Sequence, residues 1–387
     1  MIDRICVVAV GYNRPKSMGR LLSSLEHGDY CGDKVDLLIS IDKGERQNEI
    51  KELAEDFCWK YGDKIVRAFI ERQGLRKHIL QCGDMTEEYR AVVILEDDIT
   101  VSENFYSYVK QTISFYQNDD RIAGVSLYKH YVNVGVNHFF EPEYIGYDVF
   151  FMQFAQSWGQ CWTAPMWNGF KTWYLLNEDY FVNDKHDYKN IPGNILHWGK
   201  QSWMKYFMAY LAETHKYFVY PYHSLSTNHS EVGEHNNTAN ADWQVSMMRK
   251  NMEYRLSHLD DGVRYDIFFE RENYVVRGYE NKKCILDLYG NKKDFSNGDI
   301  LVSTATRPNK VLEKRRLQYR PHELNCAYGQ AGDGIFIYDL HETDEGKSRK
   351  NKSIRTKYDT RAIEWKELIS LGVNQLYAKI RKKLYKK

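Results

Sequence analysis

The chain has 387 residues, a formal net charge of +1 at pH 7 and 43% hydrophobic residues. This length accommodates one large domain of about 250 residues and a smaller one, with a core that needs no covalent cross-links. The seven cysteines are odd in number and scattered, without a CxxC pair. Neither a disulfide framework nor a zinc ribbon is therefore predicted, and a reducing, cytoplasmic location fits best.

The near-neutral total charge conceals an asymmetry. Residues 349–387 hold thirteen Lys and Arg against three Asp and Glu, which leaves residues 1–348 with a net charge of −9. An acidic body without a basic groove pattern argues against a nucleic-acid partner. The basic tail is expected to have a different partner from the body.

The first third of the chain repeats a strand–loop–helix pattern. The opening apolar run, ICVVAVG at residues 5–11, is too short to span a bilayer and is predicted to be a strand rather than a signal peptide. Further strands are predicted at residues 35–42, 64–70 and 91–95, each followed by residues at helical spacing. Strands that alternate with helices predict an α/β fold with a mostly parallel sheet.

The later sequence predicts three further parts after a first domain of residues 1–255. Short β-like runs indicate a small, mostly β domain at residues 256–345, and a charged run indicates a linker at residues 346–360. Residues 361–387 carry apolar side chains on one helical stripe and basic residues near the end. This composition is typical of an interfacial helix on anionic lipid, and a helix docked on its own domain is the alternative.

The loops after the first four strands are expected to form one crevice, because ligands bind beyond the carboxyl ends of parallel strands. These loops read GYNRP, DKGE, ERQGLR and EDD. They bring glycine, basic side chains and carboxylates together, which is plausible for a nucleotide-diphosphate site.

The segment VVILEDDITVSENF at residues 92–105 places three carboxylates at the end of a buried strand. Like charges this close repel each other unless a positive partner lies among them, and Mn²⁺ or Mg²⁺ would be such a partner. Asp98 is the expected metal ligand, Asp97 is expected to act through water or sugar hydroxyls, and Glu96 is expected to brace the loop. A solvated helix entry is the alternative interpretation.

These residues resemble glycosyltransferases of the GT-A fold, which carry a DxD or EDD element at this position. VVILEDDITVSENF is similar to the EDD segment of the animal N-acetylglucosaminyltransferase that begins complex N-glycans. Residues 1–245 look closer to bacterial, family 2-like glycosyltransferases that build surface polysaccharides, with an SWG segment at residues 157–159 and a TNxSxxGxH-like segment downstream.

The resemblance implies roles by position. The loop that receives the nucleotide would contain Gly11, Tyr12, Asn13 and Arg14. Asp42 would contact base or ribose, and Gly74 and Arg76 would lie in a loop near the nucleotide. Trp158 and Gly159 would shape the sugar pockets, and His235 would cap the metal or the diphosphate. The alternatives are a turn-forming Asp42, a surface Arg14, tryptophans in the core and a plain loop histidine at position 235.

The catalytic base is the point at which the chain departs from the animal enzyme. That enzyme has an aspartate in a DDW triplet, whereas the closest match here is Gln201-Ser202-Trp203. An inverting transfer needs a base within reach of the acceptor hydroxyl. Glu231 is the first candidate, followed by Asp187 and His197, and a retaining route or an inactive protein remains open.

The sequence therefore predicts a metal-dependent glycosyltransferase, cytoplasmic or peripheral on the inner face of the cell membrane. It would move a hexose or N-acetylhexosamine from a nucleotide diphosphate sugar to a hydroxyl of a lipid-linked surface glycan. Two alternatives are a non-catalytic glycan-binding or scaffolding homologue and a sugar-phosphate nucleotidyltransferase.

Overall fold

The computed structural model describes residues 2–182, 188–229, 231, 241–344, 352–360 and 363–384, and all counts below refer to these residues. They form two compact units. Unit 1 comprises the described residues up to Glu272 together with Asn291–Asp294, and unit 2 comprises Asn273–Gly290 and the described residues from Phe295 onward.

Unit 1 mixes strands and helices. Its strands are β1 Ile2–Gly11, β2 Asp36–Ile41, β3 Lys64–Ala68, β4 Tyr89–Glu96, β5 Ile99–Val101, β6 Ile122–Ser126, β7 Val132–Asn133, β8 His138–Phe139, β9 Val149–Met152, β10 Gln160–Thr163, β11 Tyr217–Pro221, β12 Ser226–Asn228 and β13 Arg264–Tyr265. Its helices are α1 Pro15–Glu26, α2 Gln47–Asp56, α3 Leu75–Gly83, α4 Phe105–Phe115, α5 Ala164–Leu176, α6 Gly193–Leu196 and α7 Trp203–Thr214.

A nine-stranded sheet in the order β13-β9-β11-β6-β10-β4-β1-β2-β3 organises unit 1. Strands β3, β2, β1 and β4 pair in parallel, whereas β10 runs antiparallel to both β4 and β6. All six residues of β2 are buried, which is typical of a parallel strand covered on both faces. The prediction of a large, mostly parallel sheet with flanking helices is confirmed.

Helix α2 ends earlier than the sequence pattern predicts. The apolar residues Ile50, Leu53, Phe57 and Tyr61 keep helical spacing as far as Gly62, which predicts a longer helix, but the backbone of Phe57 is already extended, with ψ at 125°. The ammonium of Lys64 donates hydrogen bonds to the carbonyls of Ala54, Glu55 and Phe57, at 2.6–2.8 Å. A cation that satisfies the last carbonyls of a helix favours ending it there.

Unit 1 extends beyond the boundary predicted at residue 255. Strand β13 pairs in parallel with β9, so Arg264 and Tyr265 belong to the large sheet. The short β-like run in this region is therefore the edge of the first sheet. The side chain of Tyr265 is fully buried.

Unit 2 contains a four-stranded sheet in the order β14-β15-β17-β16. Its strands and helices are β14 Cys284–Asp287, β15 Ile300–Ser303, β16 Asn309–Arg316, β17 Gly334–Thr343, α8 Leu324–Tyr328, α9 Lys352–Thr360 and α10 Trp365–Leu384. Helix α9 lies in the segment predicted as a linker. It is packed rather than solvated, because Tyr358 is buried in the core of unit 2 and its hydroxyl donates to the carbonyl of Tyr319 at 2.6 Å.

Helix α10 exposes apolar side chains along its length. The exposed ones are Trp365, Ile369, Leu371, Val373, Leu376, Tyr377 and Ile380. The described side chains of α10 are thus not buried against unit 2 in the way that the docked-helix alternative requires. None of the described helices combines the length and the apolar character needed to cross a membrane.

Candidate functional site

The strand register brings the predicted site loops to one edge of the sheet. In the parallel pairs, Gly11 lies opposite Ile41 and Val10 lies opposite Glu96. The loop after β1, the residue after β2 and the acidic segment after β4 therefore begin side by side. The prediction that these loops form one crevice assumes this alignment of the carboxyl ends of the strands.

Arg14 lies among the carboxylates at the end of β4. Its Nη2 donates to Oδ1 of Asp97, and its Nη1 donates to Oδ2 of Asp98 at 3.3 Å. The position is fixed by the start of α1, where Arg14 is the N-cap residue and Pro15 opens the helix. Arg14 is therefore a positive partner that the acidic segment requires, supplied by the chain itself.

One guanidinium does not balance three carboxylates. Burial, followed by the charge of Asp98, raises the pKa of Glu96 to about 8, and burial raises the pKa of Asp97 to about 6 despite the nearby Arg14. Burial alone would lower the pKa of Arg14, but the charges of Asp97 and Asp98 outweigh it and raise that pKa. The cluster still favours additional positive charge.

Two carboxylate oxygens in this cluster could still bind a further partner. Asp97 Oδ2 and Asp98 Oδ1 are buried and accept no hydrogen bond from any described residue. Buried carboxylate oxygens are costly to leave unpaired, and oxygen ligands of this kind suit Mn²⁺ or Mg²⁺. Within the described ranges, however, no three His, Cys, Asp or Glu residues are grouped as a metal cage.

His229 is a neighbour of the acidic segment that sequence reasoning missed. Strand β12 pairs antiparallel with β5, and beyond this pair the backbone N–H of His229 donates to the carbonyl of Asp98 at 2.9 Å. Its ring Nε2 lies 2.8 Å from the hydroxyl of Thr100. Burial, followed by the charge of Arg20, lowers its pKa. The signal was available in the sequence, since His229 lies in the same polar run as Glu231, whereas the predicted ligand His235 lies outside the described residues.

Glu231 is held to helix α1. Arg20 donates two hydrogen bonds to its carboxylate, at 2.6 and 3.1 Å, and the hydroxyl of Ser17 donates a third. The bonds from Arg20 above all lower the pKa of Glu231 to about 2. In this state the carboxylate is a weak proton acceptor, so its predicted role as catalytic base requires release from Arg20.

Asp42 is buried and joins two loops at the strand ends. One carboxylate oxygen accepts hydrogen bonds from the backbone N–H groups of Lys43 and Gln73, and the other accepts one from Gly74 at 3.0 Å. Gly74 has a φ of +75°, which favours glycine. Asp42 therefore fixes the loop after β3, and its predicted contact with base or ribose remains a prediction.

The loop after β1 presents an aromatic ring next to a cation. The guanidinium of Arg72 lies 4.9 Å from the ring centroid of Tyr12. Asn13 Oδ1 accepts a hydrogen bond from the backbone of Arg46 at 3.1 Å. A Cβ at Gly44 would lie 2.2 Å from the same oxygen, so only glycine permits this approach.

Trp158 and Gly159 line a neighbouring aromatic surface. The Trp158 ring packs edge-on against Tyr128 at 4.7 Å and lies 5.3 Å from Trp243, and its side chain is half-buried. Gly159 has a φ of +98°. The alternative of core tryptophans holds for Trp162 and Trp167, which are buried together at a centroid distance of 4.7 Å.

The segment that replaces the DDW triplet is structural in this chain. The hydroxyl of Ser202 caps α7 by accepting a hydrogen bond from the backbone of Lys205 at 3.2 Å, and Trp203 is buried. Of the two reserve candidates for the base, His197 is exposed and its Nδ1 lies 2.6 Å from the carbonyl of Gly193. Asp187 lies outside the described residues.

Comparison with known proteins gives weak likenesses. No family model and no curated protein matches the chain. Among solved structures, S. aureus TarS 1-349 in complex with UDP-GlcNAc aligns with a TM-score of 0.34 and 12% identity over 60% of each chain. The mannosyltransferase PcManGT from Pyrobaculum calidifontis, in complex with GDP-Man and Mn²⁺, aligns with a TM-score of 0.29 and 14% identity over 41% of this chain and 44% of that one.

This chain therefore spans 60% and 44% of the lengths of the two matched chains. Both structures contain a nucleotide sugar, but likeness at this level does not establish a shared fold or activity. The matches also give no support to the resemblance between the EDD segment and the animal N-acetylglucosaminyltransferase.

Proposed function

We propose that this chain is a nucleotide-sugar glycosyltransferase of the GT-A type that transfers a hexosyl or N-acetylhexosaminyl group to a hydroxyl of a surface glycan. The observation that carries the proposal is the acidic cluster at the carboxyl end of β4, with Arg14 bound to both Asp97 and Asp98. Its place, beside the loops after β1 and β2, is where parallel sheets bind nucleotides.

The cluster fits a divalent cation. Asp98 Oδ1 and Asp97 Oδ2 would hold it, because they are the buried oxygens of the cluster that accept no hydrogen bond from a described residue, and His235 is a predicted ligand outside the described residues. When bound, Mn²⁺ or Mg²⁺ would neutralise the diphosphate that leaves the sugar. Glu96, with its raised pKa, would serve to brace the loop rather than to hold the metal.

The remaining predicted residues divide into binding and positioning groups. Arg14 is close enough to the acidic cluster to contact an anionic diphosphate there, since its fork can bind phosphate as well as carboxylate. Tyr12 offers a ring face for a base, next to Arg72. Gly11 and Asn13 shape the same loop, and Asp42 holds the loop that contains Gly74 in place.

The acceptor side of the proposal rests on Trp158 and Glu231. An indole face suits the apolar C–H groups of a sugar ring, and Trp158 is only half-buried. Glu231 would take the proton of the acceptor hydroxyl after Arg20 leaves it. A protein in which Arg20 stays in place would bind sugars without turnover, which is the non-catalytic alternative.

Helix α10 supports a second part of the proposal, contact with an anionic membrane surface. Its exposed apolar side chains and the basic residues of the tail have the composition of an interfacial helix. A lipid-linked acceptor would then be met at the cytoplasmic face of the membrane.

The first prediction concerns Asp98. Asp98→Asn should weaken Mn²⁺-dependent binding of UDP or GDP by at least about a hundredfold, because it removes a charged ligand without changing the side-chain volume. Isothermal titration calorimetry with and without Mn²⁺ measures this effect. Glu103→Gln, a neutralisation of an exposed carboxylate on the same segment, is the matched control and should bind as the wild type does. Equal affinity in Asp98→Asn and wild type would refute the metal assignment.

The second prediction separates a catalytic from a positioning role of Glu231. Glu231→Gln should lower turnover by about a hundredfold or more with little change in nucleotide affinity, the usual scale for a lost base. Arg20→Gln should retain turnover, because the freed carboxylate regains a higher pKa. Initial rates with a nucleotide sugar and a soluble acceptor test both variants. Similar losses in the two would mean that Glu231 only fastens its loop to α1.

The third prediction concerns the tail. Deletion of residues 361–387 should abolish sedimentation with anionic liposomes and leave transfer to a soluble acceptor intact, because the tail supplies lipid affinity and no chemistry. Ile70→Ser, which removes an exposed apolar side chain from unit 1, should sediment as the wild type does. Undiminished liposome binding of the truncated protein would contradict this part of the proposal.

A further inference from the structure

A basic cavity lies between α3, α5 and α7 in unit 1. Its volume is about 760 Å³, and the cations on its walls are Arg76, Lys77, Lys171, Lys200 and Lys205. Among the described residues of its wall, the acidic ones are Asp84 and Glu178. Lys171 pairs with Asp84 at 2.8 Å, which leaves four cations and one exposed carboxylate in this described lining.

Arg76 and Lys205 are half-buried, and each lies against an aromatic ring. The guanidinium of Arg76 lies 4.5 Å from the ring centroid of Tyr206, and the ammonium of Lys205 lies 4.4 Å from that of Phe181. Lys205 also donates to the carbonyl of Leu196 at 2.8 Å.

In the part of the chain that the structure describes, no carboxylate pairs with Arg76 or Lys205, and Nε of Arg76 is buried without an acceptor. Burial, followed by the charge of Arg76, lowers the pKa of Lys205. Two cations that repel each other in a partly buried place are stabilised by an anion between them.

The cavity adjoins the loop after β3. Gln201 lines the cavity, and its Oε1 lies 3.4 Å from the position that a Cβ of Gly74 would take. Aromatic side chains on the walls, Tyr174, Phe181 and Tyr206, offer apolar surface next to the cations.

We propose that this cavity binds a phosphate-bearing ligand, with Arg76 and Lys205 holding the phosphoryl group and the aromatic wall packing against the organic part. Arg binds phosphate oxygens through its planar fork, and Lys supplies a point charge. The phosphate comes either from a phosphorylated acceptor or from the diphosphate of the donor. The two candidate sources of the phosphate depend on the proposed glycosyltransferase function. The existence of a phosphate-binding site does not depend on it.

The test uses inorganic pyrophosphate as the probe, with the full chain in EDTA so that no metal takes part. Calorimetry should show binding to the wild type, and Arg76→Gln and Lys205→Gln should each weaken it by about tenfold or more, the scale of a lost charge-assisted hydrogen bond. Lys51→Gln, which removes an exposed cation on α2, should leave the affinity unchanged. Folding of each variant is checked by circular dichroism.

A second arm identifies the source of the phosphate through Mn²⁺-dependent affinity for UDP and GDP in the Arg76→Gln, Lys205→Gln double variant. Unchanged nucleotide affinity assigns the cavity to a phosphorylated acceptor, and a parallel loss assigns it to the donor. Absence of pyrophosphate binding to folded wild type, or equal binding by folded variants, overturns the proposal. Pyrophosphate binding in EDTA does not depend on Asp98, so the nucleotide proposal can fail independently of this one.

Discussion

The bond between Arg14 and the carboxylates after β4 is the interaction on which the candidate site depends. A strand that ends in three acids is unstable in a buried position unless a cation lies beside it, and Arg14 is such a cation. The pairing also fixes the start of α1 against the end of β4. A nucleotide and its metal would therefore bind beside carboxylates whose negative charge Arg14 already partly neutralises.

The second constraint is the register of the parallel strands. Because β1 pairs with both β2 and β4, their carboxyl ends bring the loop of Arg14, the carboxylate of Asp42 and the acidic segment to one edge. Asp42 also fixes the loop after β3, because its carboxylate accepts a hydrogen bond from the backbone N–H of Gly74. The β5–β12 pair adds His229, whose backbone N–H donates to the carbonyl of Asp98.

The features that the sequence predicts are those governed by local pattern. Continuous apolar runs mark β1, β2 and β4, and strand-to-loop transitions locate Arg14 and the acids. The features it does not predict are contacts between residues distant in the chain. The bond from Arg20 to Glu231 spans 211 residues, and no periodicity signals it. The docking of α9 was missed for a similar reason, since its charged composition conceals the buried Tyr358.

The central claim is that Arg14 and a divalent cation share one acidic cluster, and Mn²⁺ titration followed by electron paramagnetic resonance tests it most directly. Removing the competing positive charge in Arg14→Gln should raise Mn²⁺ affinity in the absence of nucleotide, by about tenfold or more. Arg46→Gln, which removes an exposed cation paired with Glu49 near the same loop, should leave that affinity unchanged. An Arg14→Gln protein that is folded and binds Mn²⁺ no more tightly than the wild type would contradict the account.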